Sequence, residues 1–155
     1  MKRQLALLAL LALIPATFTA LAGPTEDQIR FRQSAYSFIS WNTGKIKAQV
    51  VDHPETYNKQ QVLAAANAIA AIANTGLGSL YGPGTDEGTG WRKSRLKAEY
   101  FQKPDDAKRI ALEFNKEANE LAKVAATGDA AQIKEQYQKL SKTCKSCHDS
   151  FRTRE

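Results

Sequence analysis

Apolar residues recur along the chain at the three- and four-residue spacing that is typical of helices with one buried face. The first such run begins after residue 24 and ends where Pro54 disfavours helical backbone at the residue before it. Thr25 and Gln28 resemble a capping box at its start. The apolar stripe of this first predicted helix consists of Ile29, Tyr36, Ile39, Thr43, Ile46 and Val50.

Three further helices follow the same spacing. The second is predicted to begin at an Asn58 cap and to continue through Leu80, and the glycine-rich segment YGPGTDEGTG follows it as a loop. Pro104 suits the first turn of the third helix and Gly128 its end, and Asp129 begins the fourth. The apolar positions of the last two helices are Ile110, Leu112, Phe114, Leu121, Val124, Ile133, Tyr137, Leu140, Cys144, Cys147, His148 and Phe151.

The pattern predicts an all-α fold, because no segment alternates apolar and polar residues with the period of two that strands require. Four helices joined by three connections indicate an antiparallel up-down-up-down four-helix bundle. In that topology the end of the fourth helix lies beside the start of the first, the end of the second, the glycine-rich loop and the start of the third. Residues far apart in sequence should therefore surround the C-terminal segment.

The segment before the first helix has the pattern of a secretory signal peptide. It opens with two basic residues, continues with an apolar run that Pro15 interrupts, and ends in ALA. We predict that residues 1–22 are removed by cleavage after Ala22, which leaves residues 23–155 as a single exported domain. A membrane anchor is disfavoured because the apolar run is shorter than the roughly 20 residues that span a bilayer.

The charge of the chain gives no sign of a nucleic-acid partner. There are 22 Lys and Arg residues against 16 Asp and Glu residues, a formal net charge of +6. The basic residues are spread along the chain without a dense run, which is typical of a solvated surface. Lys2 and Arg3 would also be lost with the signal peptide.

The segment KTCKSCHDSFR carries the candidate chemistry. Cys144, Cys147 and His148 stand at positions i, i+3 and i+4, so a helix projects all three from one face. The spacing C-x-x-C-H is the signature of covalent haem attachment. The two thiols would form thioether bonds to the haem vinyl groups, and the histidine would take an axial position on the iron.

Three other interpretations of the cysteine pair make different demands. A thiol–disulfide oxidoreductase places its reactive cysteine at a helix N-terminus, whereas this pair comes late in the last helix. A structural zinc site needs four ligands, and this chain offers one pair, His148 and the distant His53. A disulfide closing so short a loop would constrain little of the unfolded chain.

These motifs together resemble the cytochrome c prime family, the class II c-type cytochromes. The resemblance rests on the signal peptide, the four-helix pattern, RQSA in the first helix, GPGT after the second and CKSCHDSFR at the end. It covers the whole of the predicted mature chain. It implies a periplasmic four-helix bundle with one haem c, anchored by Cys144 and Cys147 and ligated by His148.

The resemblance also implies roles for residues around the iron. Arg152, one helical turn after the axial histidine, corresponds to the basic residue on the proximal side of the haem. Arg32 and Gln33 correspond to residues that bind a haem propionate, and a guanidinium can bond a carboxylate at two places. Tyr36 and Ile39 are expected over the distal face. The chain departs from relatives that have a tryptophan shortly before GPGT, since it has Gly78 in that segment; either the haem edge is more open here, or Tyr81, Trp91 or Phe101 fills the space.

The sixth iron position is expected to be open. The only methionine of the chain is Met1, which is lost with the signal, and His53 is expected to be an exposed loop residue at the opposite end of the bundle. The sequence thus favours a protein that transfers electrons and binds nitric oxide and carbon monoxide, and not an enzyme. We expect redox proteins as partners and a homodimer through the first two helices. A thiol–disulfide oxidoreductase is the alternative.

Overall fold

The computed structural model describes residues 23–154, and the predicted signal peptide, residues 1–22, lies outside the described residues. Between residues 23 and 154 the chain is helical and has two isolated β-bridges but no strand. Four long helices pack as a bundle in which α4 contacts α2 and α5, and α1 contacts α2. The predicted all-α four-helix bundle is confirmed. The helices are α1 (Pro24–Lys47), α2 (Lys59–Ala73), α3 (Glu99–Gln102), α4 (Pro104–Thr127) and α5 (Ala130–Phe151).

The apolar stripes of the sequence form the core of the bundle. Small alanine side chains dominate the buried face of α2, which lets neighbouring helices approach closely. Leu112, an apolar residue of the predicted third helix, is 61% exposed on the outer face of α4. The central buried residues are Ile39, Ile46, Val50, Val62, Ala65, Ala66, Ile69, Ala118, Leu121, Ala125, Ile133 and Leu140.

Three helix ends are built as the sequence predicts. The Asn58 side chain caps α2 by accepting a hydrogen bond from the Gln61 backbone N–H at 3.0 Å. The Asp129 carboxylate caps α5 by accepting from the backbone N–H groups of Ala131 and Gln132. Gly128, at φ +82°, ends α4 in the left-handed conformation that favours glycine.

Two other helix ends correct the prediction. No side chain caps α1, which begins after Gly23; instead of closing a capping box, Gln28 donates to the Ser79 backbone carbonyl at 3.0 Å. Helix α2 ends at Ala73 rather than Leu80. The chain reverses at Gly76, at φ +76°, and then forms a separate turn of 3₁₀ helix. An α-helix cannot pass through a left-handed residue, so apolar spacing alone overestimated its length.

Hydrogen bonds between the connections identify the two ends of the bundle. At one end, the Tyr57 hydroxyl donates to the Gly128 carbonyl at 3.0 Å, joining the α1–α2 and α4–α5 connections. At the other end, the Lys97 backbone N–H donates to the Phe151 carbonyl at 2.9 Å, joining the long loop to the end of α5. The start of α1 meets the end of α2 at this same end. The long loop, the start of α1 and the end of α2 therefore lie at the same end of the bundle as the C-terminal motif, as predicted.

The outer surface of α1 carries large apolar side chains. Phe31, Phe38 and Trp41 are all more than half exposed. Within the described range, residues 23–154, no helix combines the length and hydropathy that crossing a membrane requires.

Candidate functional site

The last two turns of α5 carry the cysteine motif. Cys144 and Cys147 are both free thiols and are partly buried, whereas His148 is exposed. The helix ends three residues later at Phe151, and the backbone N–H of Arg152 bonds to the His148 carbonyl. The motif thus sits on a regular helix that fixes its three side chains on neighbouring positions of one face.

The two thiols are poorly suited to thiol–disulfide exchange. Burial raises the pKa of both Cys144 and Cys147, and each cysteine lies near a helix C-terminus, where the helix dipole disfavours a thiolate. A reactive dithiol instead needs a lowered pKa. Nor do residues 23–154 bring together three or more His, Cys, Asp or Glu side chains in a group that could hold a metal ion.

His148 is held as a neutral base. Partial burial lowers its pKa, and the positive charges of Arg152 and Arg95 lower it further. Nη1 of Arg152 lies 3.1 Å from Nε2 of His148. A neutral imidazole is the form that binds a metal ion, so the surroundings of His148 favour a ligand role near neutral pH.

Aromatic rings cluster beside the motif. Tyr81 stacks on Tyr100 with a centroid distance of 4.6 Å, and Tyr100 meets Phe151 edge-on at 5.4 Å. Cys147 packs against the cluster to which Tyr100 and Phe151 belong. Such flat apolar surfaces suit a flat aromatic partner. Tyr100 was missed by the sequence analysis, because it lies in the single turn of α3, which is too short to show a helical periodicity.

Tyr36 joins this aromatic group from α1. Its hydroxyl lies 3.2 Å from that of Tyr81, and burial raises the pKa of Tyr36 to about 12. Tyr81 stacks on Tyr100, which packs in the same cluster as Cys147, so Tyr36 reaches the motif through these two rings. Ile39, the other predicted distal residue, is buried one turn further along α1 within the main core.

Arg32 is buried and ties α1 to the loop. Its guanidinium donates to the Leu80 carbonyl, to the carbonyl and hydroxyl oxygens of Thr85, and to the Ser94 hydroxyl, at 2.8–3.1 Å. Burial lowers the pKa of Arg32, but these oxygens all accept from its charged form. Thr85 ends the GPGT segment and Arg32 begins RQSA, so the two quoted motifs contact each other. Neither Thr85 nor Ser94 was a candidate in the sequence.

Gln33 holds a second part of the loop. Its side-chain oxygen accepts from the Trp91 backbone N–H at 2.8 Å, and its amide donates to the Arg92 carbonyl at 2.8 Å. A Cβ atom at Gly90 would lie 2.7 Å from the Arg30 backbone nitrogen, so only glycine allows this approach. Both residues predicted to bind a propionate therefore anchor the loop, and their propionate role stays a prediction.

The remaining candidates divide by location. Trp91 is exposed and donates from its indole nitrogen to Ser34 on the outside of α1, away from the aromatic group. Phe101 lies edge-on to Tyr100 at the rim of that group. His53 is exposed beside Glu55 at the opposite end of the bundle, as the sequence predicts.

The donor set at this end of the bundle fits a haem. Two adjacent thiols, Cys144 and Cys147, can anchor it, and a neutral imidazole of His148 on the next helical position can ligate its iron. The wall of tyrosine and phenylalanine rings supplies the apolar contact that a porphyrin needs.

Comparison with known proteins identifies the family. The profile described as Cytochrome C′ matches residues 27–152. Cytochrome c′ of Rhodocyclus tenuis is 51% identical over 131 residues, which cover 84% of this chain and 97% of the relative. This chain therefore belongs to the cytochrome c′ family of haem proteins, as the resemblance predicted.

Solved structures agree in fold. That of cytochrome c′ from Thermochromatium tepidum has a TM-score of 0.79 and 46% sequence identity, covering 86% of this chain and 98% of its own. A second cytochrome c′, described as having an unusual ligand-controlled dimer dissociation, also has a TM-score of 0.79, with 49% identity, covering 86% of this chain and all of its own.

Proposed function

We propose that this chain is an exported, periplasmic haem c protein that transfers electrons and binds small neutral gases at an open sixth iron position. The observation that carries the proposal is the placement of Cys144, Cys147 and His148 on one helical face beside the aromatic group. Bound haem would supply a redox-active iron with a site for a gas.

Residues of α5 would anchor the haem and ligate its iron. Cys144 and Cys147 would anchor it covalently, and the raised thiol pKa keeps both groups neutral in the apolar surroundings where the vinyl groups would lie. His148 would be the axial ligand. Arg152, one helical turn after His148, would hold a positive charge on the proximal side.

An open sixth position is supported by what the chain offers on the distal side. No methionine follows residue 1, and His53 is at the far end of the bundle. Tyr36 comes from α1 on the side of the aromatic group, and Ile39, the next turn along, is buried in the main core. We propose that the reduced iron is five-coordinate and admits nitric oxide and carbon monoxide.

We propose binding and electron transfer rather than catalysis. A general acid or base works best with a pKa near the working pH, whereas burial raises the pKa of Tyr36 to about 12 and that of Tyr81 well above its usual value. The raised thiol pKa values argue equally against a thiol–disulfide oxidoreductase.

We propose a homodimer in which the outer face of α1 is the interface. Phe31, Phe38 and Trp41 are exposed there, and the side chain of Trp41 adjoins a shallow groove with small neighbours that permit close helix approach. Support also comes from the relative whose dimer dissociates under ligand control, because it shares 49% of its sequence with this chain. The groove is lined by Ser37, Ser40, Trp41, Gly44, Lys45 and Ala48.

The absorption spectrum of protein produced in cells that attach haem c tests the covalent anchor. Haem should remain with the chain after denaturation and acid–organic extraction. Cys144→Ala and Cys147→Ala should each leave a single thioether or prevent maturation, whereas His53→Ala should not change the spectrum. Haem that is extracted from the wild-type chain would refute the anchor.

Spectra of the reduced protein test the gas site. The expected species is high-spin and five-coordinate, and it should change on addition of carbon monoxide or nitric oxide. A low-spin, six-coordinate spectrum without an added ligand would mean that a side chain fills the position, and gas binding would then be rejected.

A further inference from the structure

Tyr81 is held on several sides within the aromatic group. Its ring stacks on Tyr100 with an interplanar angle of 18°, and the guanidinium carbon of Arg32 lies 4.6 Å from its centroid. Arg32 is itself fixed by its bonds to Thr85 and Ser94. Tyr100 is held in turn by its edge-on contact with Phe151. Because both neighbours of the Tyr81 ring are fixed, the ring has little freedom to rotate.

The hydroxyl of Tyr81 donates to the hydroxyl oxygen of Tyr36 at 3.2 Å. The positive charge of Arg32 favours this direction, because it acts to lower the pKa of Tyr81 against the effect of burial and so strengthens it as a donor. A phenol that accepts a hydrogen bond keeps its own O–H free to donate. Among the described residues no acceptor is bonded to that O–H of Tyr36.

From this geometry we propose that Tyr81 is a positioning residue that orients the Tyr36 hydroxyl as a hydrogen-bond donor toward a gas bound at the haem iron. The inference rests on the proposed function, since it requires haem on α5 and a ligand on the Tyr36 side. Donation from Tyr81 polarises the Tyr36 O–H and makes it a stronger donor. The distal side is then not purely apolar, and a ligand with a partly negative outer atom is stabilised.

The infrared stretching frequency of bound carbon monoxide reports such a donor. In the haem-loaded protein, Tyr36→Phe should raise the C–O frequency and speed carbon monoxide dissociation roughly twofold, as expected for the loss of a weak hydrogen bond. Tyr81→Phe should move both quantities in the same direction by less, because Tyr36 remains but is no longer oriented. The double variant should show the same C–O frequency and the same dissociation rate as Tyr36→Phe.

Tyr57→Phe is the matched control. This substitution also removes a partly buried tyrosine hydroxyl that makes one hydrogen bond, to the Gly128 carbonyl. Tyr57, however, lies at the opposite end of the bundle from the aromatic group. It should leave the C–O frequency and the dissociation rate unchanged. The positioning role would be overturned if Tyr81→Phe left the C–O frequency unchanged. It would also be overturned if the double variant shifted that frequency more than Tyr36→Phe does.

Unfolding of the same haem-loaded variants tests the hydroxyl pair without any gas. Tyr36→Phe should lower the midpoint of denaturant unfolding less in the Tyr81→Phe background than in the wild type, because the shared bond is already lost. Additive changes would refute the coupling. If the stability effects are coupled but the protein forms no carbon monoxide adduct, the proposed gas binding is rejected. The role of Tyr36 and Tyr81 toward a bound gas is then rejected with it, although the contact between their hydroxyls is confirmed.

Discussion

Nη1 of Arg152 lies 3.1 Å from Nε2 of His148, one helical turn before it. A guanidinium has only donors, so in this contact it donates to Nε2 of a neutral imidazole, and its positive charge contributes to the lowered pKa of His148. Arg152 therefore helps to keep the proposed axial ligand neutral, and its contact with Nε2 has to open before that nitrogen can bind iron, because a neutral imidazole offers one lone pair.

The charge of Arg152 should raise the reduction potential of the haem, because a cation near the iron favours the reduced state. Arg152→Leu is expected to lower the midpoint potential by tens of millivolts, and Arg152→Lys should restore most of the difference. Lys123→Leu, which removes an exposed cation near the opposite end of α4, is the control for net charge. Equal shifts in Arg152→Leu and Lys123→Leu would contradict a local effect.

Arg32→Leu should destabilise the fold, because it removes four hydrogen bonds to loop oxygens, several of them buried. We expect a loss of about 3 kcal/mol in the free energy of unfolding, measured with denaturant. Arg32→Lys should recover only part of this, since a single ammonium cannot serve both Thr85 and Ser94. Arg109→Leu breaks only an exposed ion pair with Asp106 and should change stability by less than about 0.5 kcal/mol.

The same two Arg32 variants also test its predicted propionate contact. A bidentate bond to a propionate would make the midpoint potential differ among wild type, Arg32→Leu and Arg32→Lys. An unchanged potential in both variants, together with lower stability, would leave Arg32 as a loop anchor and reject the propionate role.

Alkaline pH should destabilise the protein through Tyr36. Its pKa is raised from 10.0 to about 12 in the fold, so the folded state keeps a proton that the unfolded chain releases. The stabilisation is complete below pH 10 and is lost as the pH rises toward 12, with about 1.4 kcal/mol lost by pH 11. The free energy of unfolding should fall less steeply between pH 9 and 11 in Tyr36→Phe than in wild type. Parallel slopes would refute a raised pKa.

Trp41 should be needed for dimerisation. Its side chain is 65% exposed in the groove of α1, so Trp41→Lys would place a charge within the proposed interface without disturbing the core. Light scattering should find monomer for this variant and dimer for wild type. Leu112→Lys is the matched control, because Leu112 is similarly exposed on α4 and lies outside α1. Loss of the dimer in both variants would indicate a different interface.

Local chemistry decided much of what the sequence predicts correctly. Asn58 and Asp129 cap helices through atoms two or three residues away, and Gly128 ends α4 through its own backbone freedom. The relation among Cys144, Cys147 and His148 is equally local, because helical spacing alone places them together. The class of fold follows from the same periodicity.

Only the tertiary structure decided how distant residues combine at the site. Arg32 shows no sequence sign that it bonds to Thr85 and Ser94, more than fifty residues away, and Tyr100 lies in a segment with no repeating pattern. Leu112 is apolar but stands two residues from Ile110 and from Phe114, on the opposite side of α4 from both, and it is exposed. Periodicity tells which residues share a helix face, whereas the contacts of that face depend on the packing of the whole bundle. The hydroxyl contact between Tyr36 and Tyr81 therefore arises only when α1 and the loop after α2 pack together.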